Sequence, residues 1–212
     1  IVINKEMIVM SKEIDYRKYA YRQIGEADFK EFRAACSSSP KELTEFLNIG
    51  QYMESYNVID HWNLFSTILY CGEYDCYGLF EGKTLIGFAT MSHSARSFGC
   101  QIVYWIRNGY HGMGLGKLFM YNLLRDSLGR KGFKFAELII DTANVPSVKI
   151  AEALGLYQID EWEDFEHGQG SRRSGSYRLY MAIDHLIELE AQAAGVEPID
   201  VLRKMWVEEH LG

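Results

Sequence analysis

Three alternating glycines, Gly112, Gly114 and Gly116, separate an apolar stretch ending at Ile106 from an amphipathic one that begins at Leu115. Residues 104–128 read YWIRNGYHGMGLGKLFMYNLLRDSL, and Leu115, Leu118, Phe119, Leu123, Leu124 and Leu128 recur at helical spacing. The pattern predicts a strand over Cys100–Ile106, a glycine loop, and a helix that starts directly behind it. Glycines let successive amides turn toward one point. The free N–H groups of a helix's first turn and the positive end of its dipole make that point an anion site, most naturally for phosphate. Spacing excludes two common phosphate loops. A Walker loop would need glycine at His111 and a hydroxyl at Leu118, and a dinucleotide fingerprint would need glycine at Lys117.

A second stretch, FAELIIDTANVPSVKIAEALGLY over residues 135–157, predicts a buried strand, a turn at Thr142–Pro146 and a short helix ended by Gly155. The two stretches together resemble the GNAT acyltransferase superfamily. Its pyrophosphate loop reads Arg or Gln, two residues, Gly, one residue, Gly or Ala. Gly114 and Gly116 match that loop, and His111 stands where the Arg or Gln would be. Asn144, Ser147, Gly155 and Leu156 fall at the spacings of the family's second motif, and NxxSxxxAExLG is similar to the branch that contains the ribosomal-protein N-acetyltransferases.

The resemblance covers about residues 16–183 and implies an α/β (α+β) fold, with a mixed, mostly antiparallel sheet flanked by helices. The sheet would splay at the strand before the glycine loop, and acetyl-CoA would bind there as co-substrate. Its pyrophosphate would lie on amides of the loop His111, Gly112, Met113, Gly114, Leu115, Gly116 and Lys117. A backbone amide near Ile106 would polarise the thioester carbonyl, and Asn144 would hold the pantetheine arm, with Ser147 beside it in the coenzyme site. The implied reaction moves an acetyl group directly to a primary amine, either a protein N-terminal or lysine amine or a small amine. The alternative is a GNAT fold kept as a non-catalytic binding or structural module in a larger assembly.

Amide formation needs an unprotonated amine, a polarised carbonyl and a proton for the leaving thiolate. Two positions depart from the family pattern. Where many relatives carry a Tyr to protonate the thiolate, this chain has Ala151, which leaves Ser147 as the donor; helix capping is that serine's other reading. Where relatives often carry a Glu, this chain has Gln101, a neutral amide that cannot accept a proton. The remaining candidate bases are His93, Tyr104, His111, Glu137 and Asp141, acting directly or through water. His93 is expected near the end of a strand facing the acceptor, with an ordinary pKa suited to the role.

The chain around these stretches has 212 residues, 48% hydrophobic side chains and 3 prolines, enough for one sizeable core. Three segments are expected: a poorly constrained leader over 1–15, the acetyltransferase domain over 16–184, and a C-terminal helical appendage over 185–212. Strands are predicted over Tyr19–Ile24, Cys76–Glu81, Thr84–Ser94, Tyr157–Phe165 and Ser176–Ile183. Helices are predicted over Glu26–Cys36 and from Ser38 or Ser39 onward, capped by that hydroxyl ahead of Pro40. Residues 49–72, rich in aromatics, are expected to supply helical cover and one wall of the acceptor pocket, with core packing as their other reading. In the tail, Gly195 separates two amphipathic helices, with Ile199, Leu202, Met205 and Trp206 on one stripe. That stripe must bury against the parent domain or against a second copy or partner. The loop EHGQGSRRSG carries Arg172 and Arg173, read as a solvated pair.

The 29 acidic against 22 basic residues give a net charge of −7, which argues against a nucleic-acid partner. No apolar run approaches the ~20 residues of a membrane span. A soluble, cytoplasmic protein without a membrane partner is expected. Cys36, Cys71, Cys76 and Cys100 form no CxxC and have no metal-ligand spacing with the six histidines. Reduced, mostly buried thiols are therefore expected, with no metal.

Overall fold

The structure is a computed structural model that describes residues 15–39, 58–164 and 175–211. The expectations placed on residues 1–14, on the helix at Pro40, on residues 49–57, on Arg172 and Arg173, and on the Trp206 side chain lie outside what is described. Strands β1 (Tyr19–Gln23), β2 (Tyr74–Glu81), β3 (Thr84–His93), β4 (Gly99–Ile106), β5 (Phe135–Asp141), β6 (Tyr157–Asp164) and β7 (Gly175–Ile183) form one sheet of order β1-β2-β3-β4-β5-β7-β6. Its helices are α1 (Phe29–Ser37), α2 (Val58–Tyr70), α3 (Leu115–Leu124), α4 (Val145–Ala153), α5 (His185–Ala194) and α6 (Pro198–Leu211). The pairs β1–β2, β2–β3, β5–β7 and β6–β7 are antiparallel. The β4–β5 pair is parallel over Gly99–Gln101, the first three residues of β4. Among the described residues no helix is long and apolar enough to cross a membrane.

The chain forms two compact units. One holds, of the described residues, those from Asp15 to Ser92 together with Ile102–Asn122. Its core is aromatic: Phe32 of α1, Phe65 of α2, Phe80 of β2, Phe88 of β3 and Trp105 of β4 are buried together. The Phe32 ring lies 4.9 Å from that of Phe65 and 5.0 Å from that of Phe88, tilted and edge-on as ring quadrupoles prefer. Helix α1 buries Phe32, Ala35 and Cys36, the i, i+3, i+4 stripe that turns one face of a helix to a core.

The other unit holds His93–Gln101 and the chain from Leu123 onward. Phe135 of β5 and Leu179, Met181 and Ile183 of β7 form its core with Ile187 and Ala191 of α5 and Val201 and Leu202 of α6. The tail thus buries its stripe on the strands beside it in this unit, with Ile199 and Met205 half-buried against the same cluster. Asp184 caps α5 by accepting the Leu186 amide at 2.8 Å, and Gly195 ends it in the left-handed region at φ +68°.

Two helices depart from their expected spans. The helix from Glu26 opens as a 3₁₀ turn over Glu26–Asp28, because the Asp28 carboxylate turns back to accept the Gly25 amide at 3.0 Å and takes the Arg22 guanidinium at 2.7 Å. The helix expected to reach Leu128 stops at Leu124 and widens into a π-helix over Arg125–Arg130, where the Lys131 amide bonds the Asp126 carbonyl five residues back. The apolar spacing concealed this change. Asp126 and Ser127 turn inward there, Asp126 onto Arg130 at 3.0 Å and the Ser127 hydroxyl onto the Leu124 carbonyl at 3.0 Å.

Two outcomes follow from this packing. The Phe135 ring lies across Gly99, where an added Cβ would collide with it. Gly99→Ala should lower unfolding stability by roughly 1–3 kcal/mol. Gly129→Ala, which meets nothing within 4 Å, should stay within about 0.5 kcal/mol; urea unfolding of both variants is the check. His61 is 1% exposed, and neither ring nitrogen has a hydrogen-bond partner among the described residues. Burial and then the Arg33 charge hold its pKa below the ordinary value, against a smaller opposing pull from Asp60. The unfolded chain therefore takes up a proton that the folded chain refuses. Stability present above about pH 6.5 is lost as pH falls toward the folded pKa. The melting temperature should drop between pH 7.5 and 5.5, and His61→Leu should flatten that drop.

Candidate functional site

The glycine loop is built within the first unit and anchored at both ends. At its start, the Arg107 amide donates to the Ile86 carbonyl of β3 at 2.9 Å. The Arg107 guanidinium donates to Ser38 Oγ at 2.9 Å and to the Leu85 carbonyl at 3.4 Å. The Asn108 amide donates to the hydroxyl of fully buried Ser39 at 2.8 Å. Ser38 and Ser39 follow α1 and hold the entry to the loop, a contact between residues 69 apart that no local pattern announces.

The next turn closes with the Tyr110 amide on the Arg107 carbonyl at 3.1 Å, through Gly109 at φ +88°. His111 Nε2 then lies 2.8 Å from the Ile106 carbonyl. A carbonyl only accepts, so this nitrogen carries the proton. Gly112 and Gly114 take φ +72° and +78°, a region that L side chains rarely adopt. Gly116 is already helical, the second residue of α3, so the alternation of three glycines resolves into two that bend the chain and one inside the helix. Leu115 and Phe119 are buried and fix the start of α3, while His111, Gly112 and Met113 are exposed. An α-helix's first-turn amides lack intrahelical partners. Here they stand next to an exposed loop of bent backbone, a suitable cradle for phosphate oxygens.

The second motif lies in the other unit. At the end of β5 the Asp141 carboxylate accepts the Ala143 amide at 2.8 Å, and the Asn144 amide donates to the Asp141 carbonyl at 2.8 Å. The Thr142 amide bonds the Ser176 carbonyl of β7 at 2.8 Å, tying the turn to the sheet. Asn144 is the N-cap of α4, its side-chain oxygen accepting the Ser147 amide at 3.3 Å. Asn144 is thus the residue whose side chain caps α4. Both side chains are half-buried, and Ala151 is 1% exposed in the core.

The candidate bases fare differently. Glu137 is buried on β5, and its carboxylate accepts from Ser94 Oγ at 2.7 Å and from Arg96 Nη1 at 2.9 Å. A carboxylate so held serves to anchor the turn between β3 and β4. His93 is the exposed last residue of β3, its ring 5.3 Å from that of Phe133. Ile86, which takes the Arg107 amide, lies seven residues earlier, about 23 Å along an extended strand. His93 thus stands at the end of β3 opposite to the residue that receives the loop. Tyr104 is half-buried on β4, and Gln101 pairs in register with Glu137. Burial pushes the Cys36 thiol up, and those of Cys76 and Cys100 up to about 12, so none of these three is poised as a nucleophile.

Solved structures share this architecture. The ribosomal-protein-S5-alanine acetyltransferase of Vibrio fischeri aligns with a TM-score of 0.66 at 14% identity, over 82% of this chain and 97% of its own. A ribosomal L7/L12 alpha-N-protein acetyltransferase in complex with coenzyme A gives 0.65 at 15%, over 79% and 94%. The spermidine N-acetyltransferase of Vibrio cholerae, in complex with CoA and spermine, gives 0.64 at 12%, over 80% and 97%. At such identities the likeness establishes the fold. No curated protein matches the chain by sequence. The family model of the acetyltransferase (GNAT) domain matches residues 20–157, well over half the chain. The chain belongs to the GNAT acetyltransferase family.

Proposed function

We propose that the protein transfers an acetyl group from acetyl-CoA to a primary amine, directly and without an acyl-enzyme. The observation that carries the proposal is the loop over residues 107–117. It is anchored at its start by Arg107 and Asn108, bent through Gly112 and Gly114, and followed at once by the buried start of α3. Amides presented this way fit a pyrophosphate. Structures of the same fold solved with coenzyme A add support.

The roles follow from the geometry of each unit. Successive residues of a strand direct their amides to opposite edges. The Arg107 amide points to β3, so the Ile106 amide points away from it and can donate to a carbonyl oxygen that gains negative charge. Asn144, with its oxygen committed to the cap, retains its NH₂ for the amide groups of a pantetheine arm. The amine nitrogen forms the new C–N bond as the C–S bond breaks. Ser147 gives a proton to the thiolate, directly or through water. With Glu137 committed to Arg96 and His93 at the far end of β3, the proton of the incoming ammonium leaves through Tyr104 or solvent. Cys36, Cys76 and Cys100 are buried with their thiols raised, which favours direct transfer over an intermediate on any of these three.

The reading as a non-catalytic module drew on Gln101, Ala151, His111 and the amphipathic tail. Burial of the tail stripe in the β5–β7 core accounts for the last of these without a partner.

Gly114→Val should abolish binding of CoA in calorimetric titration while circular dichroism stays native. The left-handed backbone at this position costs a β-branched residue roughly 1–2 kcal/mol in a loop that the core does not depend on. Retained affinity would overturn the loop assignment. Ser147→Ala should leave CoA affinity unchanged and lower kcat about ten- to a thousand-fold, the range of a lost proton donor with water as substitute. An unchanged kcat would remove Ser147 from the chemistry.

A further inference from the structure

The face shared by β5, β7 and β6 carries the core with α5 and α6 at one end. At the other end, beyond Leu179, it carries residues that this core does not use. Register sets Asp141, Tyr177 and Trp162 in one row across the three strands, and Ile139, Leu179 and Asp160 in the next. Ile139 lies on an interior strand of the sheet and is nonetheless 46% exposed. The Trp162 and Tyr177 rings stack 6.1 Å apart at 25°, and Gly175 leaves space for the Tyr177 ring to lie 3.1 Å from where a Cβ would be. Asp141 and Asp160 are acidic residues of this face. Arg178 belongs to the opposite face, where it pairs with Glu161 at 3.0 Å.

An accessible indole stacked on a phenol, beside two carboxylates, suits an alkylammonium ion. The ring faces attract a cation within about 6 Å, the methylenes pack on the aromatic surface, and the carboxylates add charge. An anion would be repelled here, and a neutral apolar ligand would strip water from Asp141 and Asp160 without replacing it. The net charge of −7 draws cations to the protein as a whole. Asp141 precedes by three residues Asn144, the residue assigned above to the coenzyme arm.

We propose that this face is the acceptor subsite for an amine that carries a second ammonium group on an alkyl chain, with Trp162 and Tyr177 receiving the second cation. The inference rests on the acetyl-transfer reading and deepens it by naming the acceptor's chemistry. The full chain, saturated with CoA, is titrated with cadaverine and with pentylamine, which has the same carbon chain and no second ammonium. Binding is followed by saturation-transfer NMR, and CoA affinity is measured in each variant. Cadaverine should bind about five-fold or more tightly than pentylamine. Trp162→Ala should erase that preference, and Trp162→Phe should keep most of it. Equal affinity for the two amines overturns the inference. So does a preference that survives Trp162→Ala, or no binding of either amine while CoA still binds, and all three leave the coenzyme site standing. Failure of CoA itself to bind removes the acetyl-transfer reading and this inference with it.

Discussion

The hydrogen bond from His111 to the Ile106 carbonyl addresses a constraint that any anion-binding loop faces. Amides that must point at a ligand cannot also hold the loop together. Their own backbone bonds are given up, and the shape has to be fixed by groups that the ligand does not need. Here the imidazole bridges five residues back to the end of β4, while the Arg107 guanidinium and the Asn108 amide are moored to two serines at the end of α1. At the other end, the buried side chains of Leu115 and Phe119 hold the start of α3. Ordering a backbone residue costs roughly 1–2 kcal/mol, so a loop already ordered by side chains binds without that cost. His111 occupies a position where relatives use Arg or Gln, and in this chain the residue serves the loop's own closure.

The second motif meets the same constraint with shorter means. The turn after β5 is held by the Asp141 carboxylate on the Ala143 amide and by the Asn144 oxygen on the Ser147 amide. Both are bonds between residues two or three apart. The side-chain oxygen of Asn144 thus fixes the helix end. Glu137, one of the candidate bases, is held for an equally physical reason. A carboxylate buried on an interior strand needs partners, and Ser94 and Arg96 supply them from the β3–β4 turn.

What could be read from the sequence divides along the same line. The glycine loop, the strand before it and the helix after it are contiguous, so composition and period were enough to place them, as they were for the Asn144 turn and the two tail helices. The π-helical segment escaped because Leu124 and Leu128 keep an α-helical spacing, while the widening depends on what Asp126 and Ser127 meet once folded. Ser38 and Ser39 looked like caps because they precede a proline; their bonds to Arg107 and Asn108 join residues 69 apart. His93 was read as the end of a strand facing the acceptor. It is the last residue of β3, seven residues beyond Ile86, which receives the loop, and which end of a strand meets a loop is a matter of direction that periodicity does not encode.

The aromatic row on the β5–β7–β6 face was not legible for a subtler reason. Strand β6 is YQIDEWED, and strict alternation from Tyr157 opposite Met181 would place Glu161 opposite Tyr177 and turn Trp162 to the other face. The structure instead has a register shift between Gln158 and Asp160, so that Ile159 is the extra residue and Trp162 pairs with Tyr177. A shift of one residue exchanges the two faces of every residue beyond it. This bulge therefore decides two things at once. It brings the indole onto the phenol, and it sends Glu161 to the opposite face, where Arg178 neutralises it. The glycine loop is written in contiguous backbone and changes only with the loop itself. The aromatic row depends on side chains brought together by sheet register, so a single inserted or deleted residue in β6 can exchange an aromatic surface for an acidic one while the fold and the glycine loop stay as they are.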